Sequence, residues 1–395
     1  MSGPVPLMLT EQVFDRLARG VPDPDVAAFV RRGAHSVTRL LLRTVAEDPA
    51  AASAFADLAA LERRAPHAVA RVLRHPAVGA WARVACGLTT AGDAAAPARM
   101  RAVAASAAAR AGIAHRAVLP ADDGLVMLPS LGAARTDETA GTVVVADGRL
   151  SVDGRPVPHD TGCETPHWQG LRVLRARGPH GALRLTLDDL DPFRFPSHAA
   201  GRLDAVETAR WAAILRGAWT LLGRDHPAAA AEVRALASTL TPIDGYRGGT
   251  SRAAFGCVAT TPPRDPVTFA ETLVHEAQHA KLTVLLDLVD LARDEGVRRY
   301  PAAWRADPRP LGGLLHGAYA HVGVAAFWRR RHAAGGGEEA HARALRWWSA
   351  AGTALATVED SGALTPLGHR FAAGLRAALA ELSPHRATAA PGRYA

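Results

Sequence analysis

Lysine is nearly absent: of the 46 basic side chains in 395 residues, Lys281 is the one that is not arginine. Arginine stands in for lysine throughout, and alanine, glycine and proline are also heavily used. The formal net charge of +8 therefore reads as compositional bias and not as a nucleic-acid surface. The arginines are also scattered. The densest run, Arg329-Arg330-Arg331-His332, falls at the expected end of a helix, where cations favour the dipole. No nucleic-acid partner is expected, although a basic balance suits an acidic partner or an anionic cosubstrate.

Cysteine is scarce as well. Cys86, Cys163 and Cys257 are odd in number, far apart and outside any metal-ligand spacing. That argues against a disulfide framework and for small buried hydrophobes of a reducing compartment. No apolar run reaches membrane-spanning length, since Asp287 and Asp290 interrupt the longest one. Met1 to Gly20 lacks a basic stretch followed by an apolar core, so no secretion signal is expected. These absences predict a cytoplasmic protein with no membrane partner. What is present supports a real core, because 48% of the residues are hydrophobic.

Pattern along the chain predicts an α+β fold that is predominantly helical, in three regions and a tail. Residues 1–118 read as helical: Thr10 caps a first helix that stops near Gly20, and Ala-rich amphipathic segments follow at 25–46, 49–63, 66–86 and 98–113. Residues 119–260 form a β-containing middle region, a small antiparallel one. Its strand candidates are 125–128, 142–145, 149–152, 170–175 and 183–187, with Asp147-Gly148 and Asp153-Gly154 as hairpin turns. Asp188-Asp189-Leu190-Asp191-Pro192 reads as a turn. Helices are expected at 204–222 and 227–240, then a Gly-rich connection over 244–250 and a strand at 255–260. Residues 261–384 form a helical region, with 300–310 irregular and helices near 311–332, 339–358 and 366–382. Residues 385–395 are expected to be a disordered tail.

One stretch dictates chemistry by its spacing. His275-Glu276-Ala277-Gln278-His279 places two histidines four apart on a helix, so both imidazoles project from one face and can reach a single divalent metal. Asp265-Pro266 is a good entry signal for that helix. Glu271, His275, His279 and Thr283 then form a polar stripe on an apolar helix, and such a stripe needs partners because burying unpaired polar groups is costly. Glu276 lies about 100° around from His275 and can address a water or substrate on the metal.

Two histidines do not complete a site, because zinc peptidases and non-haem iron enzymes both require a third ligand plus open positions. The extended zincin continuation is absent; Leu282 and Leu285 occupy its glycine and histidine places. Glu295 is too close along the same element. The third ligand is read as His321, whose neighbours Gly317, Ala318, Val324 and Ala325 let another helix approach, ahead of His316 and then Glu359. His316 and His321 are about 140° apart on one helix, so they cannot easily share one metal. Lys281 lies about 200° from His279 and reads as solvated or ion-paired. Arg309, just before the helix carrying His321, offers the bidentate carboxylate pair that a 2-oxo acid needs.

Taken together, the run Glu271 to Leu282, the run Trp304 to Val322 and the run Leu364 to Phe371 resemble the HExxH-motif peptide-modification proteins of ribosomally synthesised peptide biosynthesis. Members of that family are iron(II)- and 2-oxoglutarate-dependent peptide β-hydroxylases. The resemblance implies His275 and His279 as iron ligands, 2-oxoglutarate and O2 as cosubstrates, and hydroxylation of a side-chain β-carbon in a precursor peptide. In that chemistry Glu276 supports the metal ligands from behind or orients the substrate. The alternatives are a zinc metallopeptidase, in which Glu276 is the general base on zinc-bound water, and a non-catalytic peptide-binding scaffold. Recognition of a leader segment is expected of the N-terminal helical region.

Overall fold

A computed structural model describes residues 7–88, 96–195, 199–245, 253–293 and 296–383. Their fold is α+β and predominantly helical. In chain order the helices are α1 (Glu11–Ala18), α2 (Pro24–Val45), α3 (Pro49–Arg64), α4 (Pro66–Leu73), α5 (Pro76–Ala85) and α6 (Ala96–Ala111). A β-rich stretch follows: β1 (His115–Pro120), β2 (Leu125–Leu128), β3 (Gly132–Arg135), β4 (Ala140–Ala146), β5 (Arg149–Val152), β6 (Arg155–Pro156), β7 (Glu164–Thr165), β8 (Trp168–Gly170), β9 (Arg172–Gly178) and β10 (Gly181–Leu187). Then come α7 (Ala205–Asp225), α8 (Pro227–Leu236), β11 (Thr239–Pro242), β12 (Cys257–Thr260) and α9 (Pro266–Leu286). A hairpin, β13 (Tyr300–Ala302) and β14 (Arg305–Arg309), precedes α10 (Leu311–Arg331), α11 (Gly337–Asp360) and α12 (Pro366–Glu381).

By internal contacts the chain divides into two units that interleave along the sequence. One unit comprises Met1–Val30, Leu221–Ala235 and Ala270–Ala395; the other comprises Arg31–Thr220 and Leu236–Phe269. The expected tail at 385–395, Glu295 and most of the Gly-rich connection at 244–250 lie outside the described residues.

In the unit made of 31–220 and 236–269, helices α3, α4 and α6 pack with the first strands around Trp81, Met100, Val126 and Trp168, all 1% exposed or less. The helical region was expected to run on to residue 118, but α6 ends at Ala111 and Gly112 takes a left-handed φ of 65°. His115–Pro120 is then drawn into β pairing with β4, burying Ala117 and Leu119 on alternate positions. One sheet has the order β1-β4-β5-β6 and another β2-β3-β8-β7. A third, β12-β11-β10-β9, departs from all-antiparallel pairing, because β11 joins β10 and β12 joins β11 in parallel. The turn after β10 carries buried carboxylates that pattern alone did not reveal: Asp189 pairs with Arg172 and Arg202, and Asp191 with Arg99.

The other unit is helical apart from one hairpin. Thr10 caps α1, its Oγ1 accepting from the Val13 amide. Phe14 meets Phe371 of α12 edge-on at 6.4 Å, and the Tyr319 hydroxyl of α10 donates to the Leu17 carbonyl at 2.8 Å. The segment just after α1 is held by α9: Gln278 Nε2 donates to the Gly20 carbonyl at 2.7 Å. Residues 7–30 thus belong to the same unit as the HExxH helix. Residues 300–310, expected to be irregular, pair as an antiparallel hairpin with Tyr300 opposite Arg309 and Ala302 opposite Arg305.

Candidate metal site

Asp265 starts α9 as expected, its Oδ1 accepting from the amides of Val267 and Thr268 at 2.8 and 2.9 Å. The helix then runs unbroken through His275 and His279, which brings their Nε2 atoms to 2.9 Å, with ring centres 4.5 Å apart. For metal–nitrogen bonds near 2.1 Å, two ligand nitrogens stand about 3.0 Å apart at a 90° angle and about 3.4 Å apart at a tetrahedral angle. The observed separation is close enough for both nitrogens to bind one ion.

α10 crosses α9 through glycine. A Cβ at Gly323 would overlap the side-chain amide of Gln278, so the missing side chain is what lets the two helices approach. The approach carries His321 to His275, with ring centres 5.3 Å apart. The Nδ1–H of His321 donates to the Gly317 carbonyl at 2.7 Å, which leaves its Nε2 as the lone-pair nitrogen. His316 stands elsewhere. Its Nδ1 is 3.4 Å from Nδ1 of His279, the nitrogen that does not face His275. The two nitrogens of an imidazole point well apart, so His316 can hold the His279 ring but cannot share a metal bound at His279 Nε2.

Burial alone drives His275 down to a pKa of about 4. Burial takes His279 well below its ordinary value, with His275, His316 and His321 adding to the shift. His321 falls to about 3, first through burial and then through His275. All three rings are neutral near pH 7, the form in which imidazole binds a metal. Among the described residues no set of three or more His, Cys, Asp or Glu side chains is arranged to hold a metal ion as it stands. The preformed element is therefore the His275–His279 pair.

The remaining sequence-identified residues are distributed as follows. Glu276 is 4% exposed, and burial pushes its carboxyl up to about 8. Glu359 is ion-paired with Arg376 on α12, so its carboxylate is committed away from the histidines. The Arg309 guanidinium lies 3.7 Å from Asp307 and packs against Gly313, at the N-terminal turn of α10. Lys281 is not solvated: it is fully buried and paired with Glu232 at 2.9 Å.

Three participants escaped sequence reasoning. Trp304 and Trp347 lie against the His321 ring, and Arg343 reaches Glu271 at 3.6 Å. Burial raises the Glu271 carboxyl, while the indole N–H groups of Trp328 and Trp347 and the Arg343 charge oppose the rise. The available signal was Gly317, one turn before His321 and without an obvious local reason to be glycine in a helix. Compared with known protein families and with curated proteins, the chain matches none. No helix among the described residues is long and apolar enough to cross a membrane.

Proposed function

We propose that this protein is an iron(II)- and 2-oxoglutarate-dependent hydroxylase acting on a side-chain β-carbon of a ribosomally made precursor peptide in the cytoplasm. The observation that carries the metal assignment is the convergence of His275 and His279 Nε2, 2.9 Å apart, close enough for both to bind one divalent ion; the choice of iron rests on the resemblance. His321 would supply the third nitrogen from α10, its ring centre 5.3 Å from that of His275. His316 orients His279 from its Nδ1 side. A neutral three-imidazole set leaves the charge of a divalent ion uncompensated, which favours an anionic bidentate 2-oxo acid at the open positions. Bound there, the ion would supply oxidative chemistry with O2 and the 2-oxo acid as cosubstrates.

The chain's own residues supply binding and exclusion. Arg309 offers a guanidinium for the distal carboxylate of 2-oxoglutarate. Buried Glu276, next to His275 in the chain, is a group that orients ligand or substrate. The resemblance of the three sequence runs to peptide-modification proteins supports a peptide as substrate. Anaerobic loading with iron(II), 2-oxoglutarate and a candidate precursor peptide, followed by oxygen, tests the reading. A peptide heavier by one oxygen with succinate formed is expected. Peptide cleavage with zinc alone, abolished by Glu276→Gln, would establish the peptidase instead; peptide binding with neither product would leave a scaffold.

A further inference from the structure

The imidazole of His321 is enclosed by two indoles. Trp347 of α11 stacks face to face with it, ring centres 4.4 Å apart and 10° from parallel. Trp304, at the turn between β13 and β14, lies 4.6 Å away and tilted by 39°. Arg346 caps the arrangement, its guanidinium 4.9 Å from the Trp347 ring centre.

Gly317 serves this enclosure twice. A Cβ at that position would collide with the Trp304 indole, so glycine is what admits the indole to the surface of α10. Its carbonyl also accepts the Nδ1–H of His321. Trp304 and Trp347 are only half-buried, unlike Trp81, Trp168, Trp211 and Trp219, which are under 2% exposed in the interior. Indoles kept at partial exposure against one histidine contribute less to the core than they do to the orientation of that ring.

We propose that Trp304 and Trp347 are positioning residues: with the Gly317 carbonyl they lock the rotation of His321, so that Nε2 is presented on the His275 side as the third donor to a divalent metal. The proposal rests on the metal reading above. Turning the ring about its Cβ–Cγ bond would break the bond to Gly317 and drive ring edges into the indoles. The rotation of the His321 ring, though not a complete three-ligand set, is thus fixed before metal arrives.

Two measurements on the full chain test it. In metal-free protein labelled at histidine nitrogen, the His321 ring protons, assigned through His321→Gln, are expected far upfield under the indole ring currents, with Nδ1 protonated. Trp347→Leu should remove that shift and Trp347→Phe should retain most of it. Cobalt(II) titration followed by its visible absorption then reads the donor set. Trp347→Leu and Trp304→Leu are each expected to weaken cobalt(II) roughly 10- to 100-fold, the range for loss of a group that orients a ligand. Trp347→Phe should recover most of the loss. Trp348→Phe, whose indole donates to the Leu379 carbonyl, should change nothing. Should a leucine variant fold poorly, Gly317→Ala carries the same expectation by displacing Trp304. Wild type that binds cobalt(II) beside leucine variants that bind it equally well overturns the positioning role alone. Wild type that binds no cobalt(II) overturns the metal reading and the proposal with it.

Discussion

Lys281 Nζ stands 2.9 Å from the Glu232 carboxylate, and the two side chains are 1% and 2% exposed. The chain's single lysine is therefore a buried cation that joins α9 to α8, and it also donates to the carbonyls of Gly20 and Val21. Glu232 in turn accepts from the Asp23 amide. This knot fixes the segment between α1 and α2 two residues beyond His279.

Breaking one side of that pair leaves the other charge stranded. Lys281→Met is expected to destabilise the protein by about 3–5 kcal/mol, the usual cost of an orphaned buried charge. Lys281→Met combined with Glu232→Leu should cost distinctly less than the single change. Urea unfolding at pH 7 measures both, and a double variant as unstable as the sum of the singles would refute the coupling.

His275, His279, His316 and Glu359 should separate into grades when cobalt(II) binding is titrated. His275→Ala and His279→Ala are expected to abolish it. His316→Gln, which removes the group at the Nδ1 side of His279, should weaken it by roughly 10- to 100-fold. Glu359→Gln should have no effect, because that carboxylate belongs to Arg376. A loss in Glu359→Gln as large as in His279→Ala would reassign the third ligand.

Gly323 is a packing requirement. Gly323→Ala puts a methyl group into the amide of Gln278, and the repacking is expected to cost about 1–3 kcal/mol. Thermal unfolding checks it. An unchanged midpoint would mean that α10 does not lie as close to α9 as described.

Acid should weaken the same unit through His226. The ring is 4% exposed, stacked on Phe327 at 4.5 Å, and its Nε2 has no hydrogen-bond partner among the described residues. Burial holds its pKa at about 4; Asp225 pulls the other way, while Arg330 and Arg331 add to the depression. A base whose folded pKa lies below its unfolded value of 6.5 binds its proton more readily when unfolded. Its contribution is intact above pH 6.5 and is lost as pH falls toward 4. At pH 5 the loss comes to about 2 kcal/mol. His226→Gln should unfold with a correspondingly shallower pH dependence in urea titrations between pH 7 and 5, and identical slopes would exclude the assignment.

Much of the local structure is legible in the residues. Thr10 and Asp265 cap the helices they precede, and the strands at 125–128 and 149–152 form where alternation and turn pairs set them. The helix at 311–332 was readable within one residue of α10. Boundaries failed where pairing with distant strands overrode local preference, as in β1, and where a hairpin formed from a Pro- and Arg-rich segment, as in β13 and β14. The N-terminal region was expected to recognise a leader segment. Phe14 and Leu17 pack with α10 and α12, so deleting residues 1–115 would remove core packing together with any peptide-binding surface.

Sequence by itself determined the His275–His279 pair, because a four-residue step on a helix puts two imidazoles on one face whatever surrounds them. It also identified His321 as a histidine among small residues. Only the tertiary structure decided the rest. His316 lies behind His279, Glu359 is spent on Arg376, Lys281 is buried against Glu232, and two indoles from separate elements hold His321. Those relationships join residues far apart in the chain through helix crossing at Gly323 and hairpin packing at Gly317, and no local periodicity encodes which distant side chain will fill the space a glycine leaves.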